Sequence, residues 1–402
     1  MVLGVTLIVA VLGLAAMSEL HLQREAAGRS ADIKKAQRYA QSAVEIALLR
    51  IDDDPSWRTT YSSGTWESGQ SIGDGTYAIA GTDSDGDLSD DETDTLTLVG
   101  TGTCGIASQK VEVKLVPQPR GLTCLDVALH TGTNLNVNQP ATITGSVIIS
   151  ANGSVQANGT VTINPDCEAV SAVNGTIQPG SATSGIDSRE MPSSAVFDYY
   201  ENNGTTITIA SIPDIGGVRT IEQVVLSSGN NPYGAGVTNA QGIYVIDCQN
   251  QDLRIRDCRI VGTLLLLNPG GNSRVANSVH WTAAAANYPA LLVDGPMSFE
   301  MTNSALAETT TNFNPAHTPY ESNSDSDTSD SYPAQIEGLV YVSGNAASSN
   351  HPVFVGVVVI GGDFTATGDL DLTYAAEYAG NPPPGFFHYN MQVNGSWRKV
   401  VD

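Results

Sequence analysis

Between residues 137 and 167 an apolar side chain returns at every sixth position: Val137, Ile143, Ile149, Val155, Val161 and Cys167. That period belongs neither to an α-helix, at 3.6, nor to a strand, at two, so a larger regular coil has to bring these side chains into register. A parallel β-helix does so. In its hexapeptide form each six-residue side presents one apolar residue inward, and three sides close a turn of about eighteen residues. The positions four further on, Ala141, Val147, Gly153, Gly159 and Pro165, are mostly small, as tight corners require. Asn152-Gly153 and Asn158-Gly159 tolerate left-handed backbone there at low cost. Around an inward Val155, Ser154 and Gln156 then point outward, and the outward row becomes a flat polar face suited to contact with a surface or a neighbouring subunit.

Beyond Pro165 the six-residue regularity lapses but the strand-like segments continue. "GIYVIDCQNQDLRIRDCRIVGTLLLLNPGG", "YPALLVDGPMSFEMTNSAL", "IEGLVYVSGN" and "HPVFVGVVVIGGDFTATGDLDLTY" are short, apolar at alternate places and punctuated by Gly, Asn or Asp. No long helical pattern separates them, so stacked coils are the economical solution for residues 120–402, with a β-sandwich as the competing fold. The terminal "NPPPGFFHYNMQVNGSWRKVVD" supplies an end cap in this reading. "ESNSDSDTSDSYP" has no Gly and reads as a mobile surface loop.

Charge narrows the partners. The net charge is −24, and residues 1–50 hold six Lys/Arg against four Asp/Glu, so the rest of the chain carries twelve basic and 38 acidic residues. Such a body repels phosphate backbones and is not a nucleic-acid binder. Its Gly, Ser, Thr and Asn content suits a turn-rich extracellular β protein. The cysteines, Cys104, Cys124, Cys167, Cys248 and Cys258, form no CxxC pair and have no His at zinc spacing. Two bridges, Cys104 with Cys124 and Cys248 with Cys258, and five buried thiols are both open; Cys167 reads as core.

The first eighteen residues, "MVLGVTLIVAVLGLAAMS", hold no charge and are just long enough to span a bilayer. No break follows: "ELHLQREAAGRSADIKKAQRYAQSAVEIALLRI" has no Pro and one Gly, so residues 1–51 read as one helix roughly 75 Å long. Pro55 then ends it. Ile33, Ala36, Ala40, Ala43, Ala47 and Leu48 form an apolar stripe, the expected filament-core face at Ala36 and Ala40. After the helix, "TYAIA" and "QKVEVKL" alternate as half-buried strands do, with Trp57 and Trp66 nearby, which makes 52–119 an antiparallel meander.

This combination resembles type IV pilins and type II secretion pseudopilins. The resemblance implies a pilin-like α+β domain over 1–119, followed by the β-helix over 120–402, in a chain that is mainly β. Family members usually carry a Glu at the fifth mature residue; Val5 stands there if Met1 is the mature start, a departure that some minor, tip-located members tolerate and that speaks against a major subunit more than against membership. By the resemblance, the protein is a structural subunit of a pilus-like or pseudopilus-like filament. It sits in the inner membrane before assembly and then in an extracellular filament or at the cell surface, with other pilin-like subunits as partners and the β-helix displayed for surface contact or adhesion. The alternative is a membrane-anchored β-helix that binds or cleaves polysaccharide.

Two chemistries remain. In "GTDSDGDLSDDE", Asp83, Asp85, Asp87, Asp90, Asp91 and Glu92 fall within ten residues around Gly86, and Asp83, Asp85, Asp87, Asp91 and Glu92 are the expected ligands. Hard oxygens around a sharp turn suit Ca²⁺, and so many carboxylates repel one another without a cation. With Gly86 at the sixth EF-hand position, Gly81 falls where the first ligand belongs, so the spacing is similar to that loop without matching it. Asp247, Arg254, Arg256, Asp257 and Arg259 are the candidates for polysaccharide cleavage, but their alternation is that of outward residues on a half-buried strand. No nucleophile motif, phosphate loop or dinucleotide fingerprint is present, so no enzyme is expected.

Overall fold

The computed structural model describes the backbone of residues 2–54, 56–395 and 397–400, and their side chains except at 2–6, 8, 9 and 235. The chain separates into two compact units, Met1–Pro119 with Tyr389–Asp402, and Arg120–His388. The second is therefore inserted, in sequence, into the sheet of the first. The expected domain of 120–402 loses its last residues in this way: Phe387–Val393 and Arg398–Val400 are strands of the first unit's sheet, not an end cap.

The first unit is built on α1 (Val2–Asp53). The helix stops two residues before Pro55, which lies outside the described residues. Four antiparallel strands follow in meander order: β1 (Gly64–Ile72), β2 (Gly75–Thr82), β3 (Leu96–Cys104) and β4 (Ala107–Gly121). Burial in β3 alternates strictly, so one face is committed to the helix. Ala40, Ala43, Val44 and Ala47 of α1 share a core with Ile79, Leu96, Leu98, Val111 and Val113. The stripe of small side chains thus serves the chain's own sheet. Ala36 and Ala40 are fully buried within it and are no filament-core face. Lys35 and Tyr39 both bond Asp74, the latter at 2.5 Å, and fasten the same helix to the β1–β2 turn.

The second unit is a parallel solenoid whose turns do not follow chain order. Residues 129–145, 149–163, 167–179 and 182–184 stack in that direction. The chain then returns to the far end, where 205–227, 243–261, 263–282, 289–337, 339–356 and 357–374 stack in turn. The last of these closes on the first: Val358 pairs with Leu129, Phe364 with Leu135 and Leu370 with Ile143. A continuous coil has been opened in its middle. The incoming and outgoing segments meet there, with Leu122 N donating to Phe386 O at 3.0 Å and the Tyr374 hydroxyl to Leu125 O at 3.0 Å.

All six residues of the opening series are buried in one apolar core, as a β-helix requires. The turns, however, are not uniform hexapeptides. Leu129 pairs with Ile149, twenty residues on, whereas Ile149 pairs with Cys167, eighteen on. Val155 accordingly stacks on Leu135, and Val137 on Ala157. Both lengths close a triangle, because a corner absorbs two extra residues without moving the inward position.

The first side of the coil is not solvated. Its outward row, which includes Val245, Leu265, Leu292, Tyr341 and Val359, is covered by Val196, Phe197 and Tyr200 of the helix Val196–Asn203, part of the segment that carries the chain from one end to the other. Arg189 fixes that segment by donating to Glu168 Oε1 at 2.7 Å and to Thr123 O at 2.7 Å, while Asn152 exchanges two 2.8 Å bonds with its backbone. All five cysteines are free and buried. Burial pushes the thiols of Cys167 and Cys248 up to about 12.

Candidate functional site

The acidic turn after β2 is anchored before it is charged. Leu88 drops into the α1–sheet core, and Arg58 donates to the carbonyls of Leu88 at 3.2 Å, Glu92 at 3.3 Å and Asp94 at 2.7 Å. Gly86 has φ +90°, a conformation natural to glycine, and its N–H donates to Asp83 Oδ1 at 2.8 Å. The turn gathers Asp83, Asp85, Asp90 and Asp94, each offering one oxygen, all within 4.8 Å of one another. Asp83 Oδ2 is buried without a hydrogen-bond partner. The Asp90 carboxyl is pushed up from its ordinary value, by partial desolvation first and by the charges of Asp85 and Asp87 next.

Of the five residues expected to ligate, the structure brings together Asp83 and Asp85. Asp87 accepts from Ser89 N and Oγ, and Asp91 from Thr93 N and Oγ1, and both carboxyls are held below their ordinary values by those bonds. Neither Asp87, Asp91 nor Glu92 joins the group. The EF-hand register fixed on Gly86 left Asp90 out of the ligand set, and Asp94 lay beyond the run considered. The useful signal was the Asp-x-Ser and Asp-x-Thr pattern, which marks carboxylates spent on their own turns.

A second acidic group lies on the excursion 303–334. Glu308, Asp325 and Asp330 offer oxygens within 4.8 Å of one another. The run read as a mobile loop, 321–333, is tied down where Asp325 accepts from Asn312 Nδ2 at 3.1 Å and from Asn314 Nδ2 at 3.2 Å, and the chain just before it is held by Arg259. Arg259, expected to face outward, is only 3% exposed and donates to the carbonyls of Phe313 at 2.6 Å, Thr318 at 2.7 Å and Pro319 at 3.0 Å. Glu308 accepts from Phe313 N at 2.5 Å and from the Tyr332 hydroxyl at 2.8 Å. Leu306, Phe313 and Tyr332 give the excursion its own core with Val225, which a reading from polarity alone passes over.

The other distinctive surface is apolar. From residue 10 to residue 31 every position of α1 is exposed. Leu14 is 69% and Met17 72% exposed, and Leu7, Val11, Leu12, Leu20 and Leu22 are exposed with them. Among the described residues no helix is long and apolar enough to cross a membrane. The stretch read as a membrane segment includes 1–6, 8 and 9, whose side chains lie outside the described ones.

No family model matches the chain, and no curated protein matches it in sequence. Among solved structures it is similar to the crystal structure of the competence-associated pilin ComZ from Thermus thermophilus. The identity is 12%, over 92% of this chain and 98% of that one, with a TM-score of 0.37. Agreement at that level carries no argument about this chain.

Proposed function

We propose that the protein is a non-catalytic structural subunit of a pilus-like filament, held by the N-terminal half of α1 and displaying the solenoid for contact with a surface. The observation that supports this is the division of α1. Its C-terminal half buries Ala36, Ala40, Ala43 and Ala47 in its own sheet, while among the described side chains its N-terminal half exposes seven large apolar ones that the rest of the chain does not cover. Leaving so much apolar surface in water is costly, at about 25 cal/mol per Å², so a bilayer and then neighbouring helices are the environments it suits. A minor position, and pilus as against type II secretion filament, are finer parts of the same proposal.

Incorporation tests it. With Val11→Asp and Leu14→Asp together, the full chain should unfold at the wild-type temperature in detergent yet be absent from sheared surface filaments of the producing cell. Filaments carrying the double variant at the wild-type level would overturn the reading.

We also propose that Asp83, Asp85, Asp90 and Asp94 hold a Ca²⁺ ion. Four hard oxygen donors on one turn fit that ion, and the unpartnered Asp83 Oδ2 supports the assignment.

A further inference from the structure

On the second side of the coil one outward position stays in register from turn to turn. Arg254 lies beside Arg274, Arg274 beside Ser298, and the row continues through Ala347, Thr365, Asn136 and Gln156. At about 4.8 Å per step it extends for about 29 Å, across the join between residues 366 and 135. Every member is half-buried and flanked by inward neighbours, so this is a flat sheet face. Past the arginines it carries only small or neutral polar side chains.

At the arginine end one guanidinium lacks a carboxylate. Arg256, two residues from Arg254 and on the same face, pairs with Glu222 at 2.5 Å and with Asp257 at 4.0 Å, and Arg274 pairs with Glu300 at 3.4 Å. Arg254 has no carboxylate partner among the described residues. Its Nη2 donates to two neutral oxygens, Ile215 O and Thr220 Oγ1, each at 3.1 Å, and its Nε is buried without a partner. Of the three guanidinium groups, Arg254 alone has no carboxylate at ion-pair distance among the described residues, in a chain that holds 18 basic residues against 42 acidic ones. Guanidinium does not discharge, so the charge of Arg254 stays without a carboxylate partner at any physiological pH.

We propose that this face binds a largely neutral glycan bearing sparse carboxylates, with one carboxylate on Arg254 and Arg274 and sugar hydroxyls along Ser298, Thr365, Asn136 and Gln156. Planar, fork-like recognition of a carboxylate is what arginine supplies. Amides and hydroxyls on a flat face suit hydroxyls, and the row offers no apolar side chain larger than Ala347 for a hydrophobic peptide. A dense polyanion would feel the net charge of −24 over its length. An isolated carboxylate meets chiefly Arg254, whose charge no carboxylate offsets at ion-pair distance, since more distant charges are screened beyond about 8 Å at physiological ionic strength. The proposal is independent of the filament reading, because the face belongs to the solenoid alone.

The test measures binding of the full-length protein, in detergent, to four probes: glucuronoxylan, the same xylan with its carboxyls reduced, polygalacturonate and free glucuronate. Glucuronoxylan should bind, carboxyl reduction should weaken it at least about tenfold, and free glucuronate should compete. Arg254→Gln and Arg274→Gln should each cause a similar loss. Because Arg254 also steadies the 212–220 segment, Thr365→Glu serves as a second probe, leaving every arginine in place but setting a negative charge in the row; it should weaken binding too. No binding to glucuronoxylan, equal binding after carboxyl reduction, unaltered affinity in Arg274→Gln and Thr365→Glu, or tighter binding of polygalacturonate would each overturn the proposal.

Discussion

Gly102 on β3 lies so close to Ala36 on α1 that a Cβ on the glycine would stand 2.1 Å from the Ala36 carbonyl oxygen. Two residues earlier Gly100 stands in the same relation to Ala40, at 2.2 Å. Glycine on the strand and alanine on the helix together let the two backbones touch, and the polar clamp at Asp74 holds them there. A Gly102→Val change forces the helix off the sheet and should cost at least about 3 kcal/mol. Ala36→Asp should likewise unfold the first unit, because it buries an unpaired carboxylate. Chemical unfolding followed by Trp57 and Trp66 fluorescence measures both; a folded, wild-type-stable Ala36→Asp protein would contradict the packing described.

Calcium should raise the unfolding temperature of the full chain by binding the native state. Asp83→Asn with Asp94→Asn should abolish that rise, and Asp87→Asn should leave it intact, since Asp87 is occupied by Ser89. Thermal unfolding in calcium and in chelator decides the matter. A loss in Asp87→Asn equal to that in the double variant would return the site to the spacing read from sequence.

His130 gives the solenoid a pH dependence. Its ring is fully buried on the outward row of the first side, beside Ser150, and neither nitrogen has a partner. Burial first, and the charge of Arg189 next, lower its pKa from 6.5 to about 3. The unfolded chain therefore takes up this proton at higher pH than the folded one. Stability from this group is present above about 6.5 and is lost as pH falls toward about 3. The loss should be roughly 1.5 kcal/mol between pH 6.5 and about pH 5. His280, also buried and lowered, acts in the same direction, so the wild type must be compared with His130→Leu. Denaturant titrations at the two pH values should show a shallower dependence in the variant; equal slopes would mean that His130 is hydrated in the native state.

What the sequence revealed of this fold follows from where the forces are local. The inward series from Val137 to Cys167 was legible because each side chain must enter a narrow core, and α1 because nothing interrupts its helix formers. The pairing of Leu129 with Val358 was not, since register between turns more than two hundred residues apart leaves no periodic mark. Nor did polarity show that the chain leading into the 321–333 run would be pinned by Arg259, whose carbonyl acceptors have no sequence signature. At the acidic turn the crowding was visible, but the division between free carboxylates and those spent on Ser89 and Thr93 depended on backbone geometry.

The coil makes opposite demands on adjacent residues, and Val155 and Gln156 separate them. Val155 is fully buried between Leu135 and Val173, whereas Gln156 stands on the outward row between Asn136 and Asn174. Val155→Asp places an unpaired carboxylate in an interior that offers no donor, at a cost on the order of several kcal/mol, and should unfold the turns on either side. Gln156→Asp meets only neutral amides and water and should stay within about 0.5 kcal/mol of wild type. An exposed linker would tolerate both changes, and a strand buried on both faces would tolerate neither. Urea unfolding of the two variants therefore tests the inward and outward assignment at one point of the ladder. Since that ladder runs unbroken from Gln156 through Thr365 to Arg254, equal effects in the two variants would remove the flat face on which glycan binding is proposed.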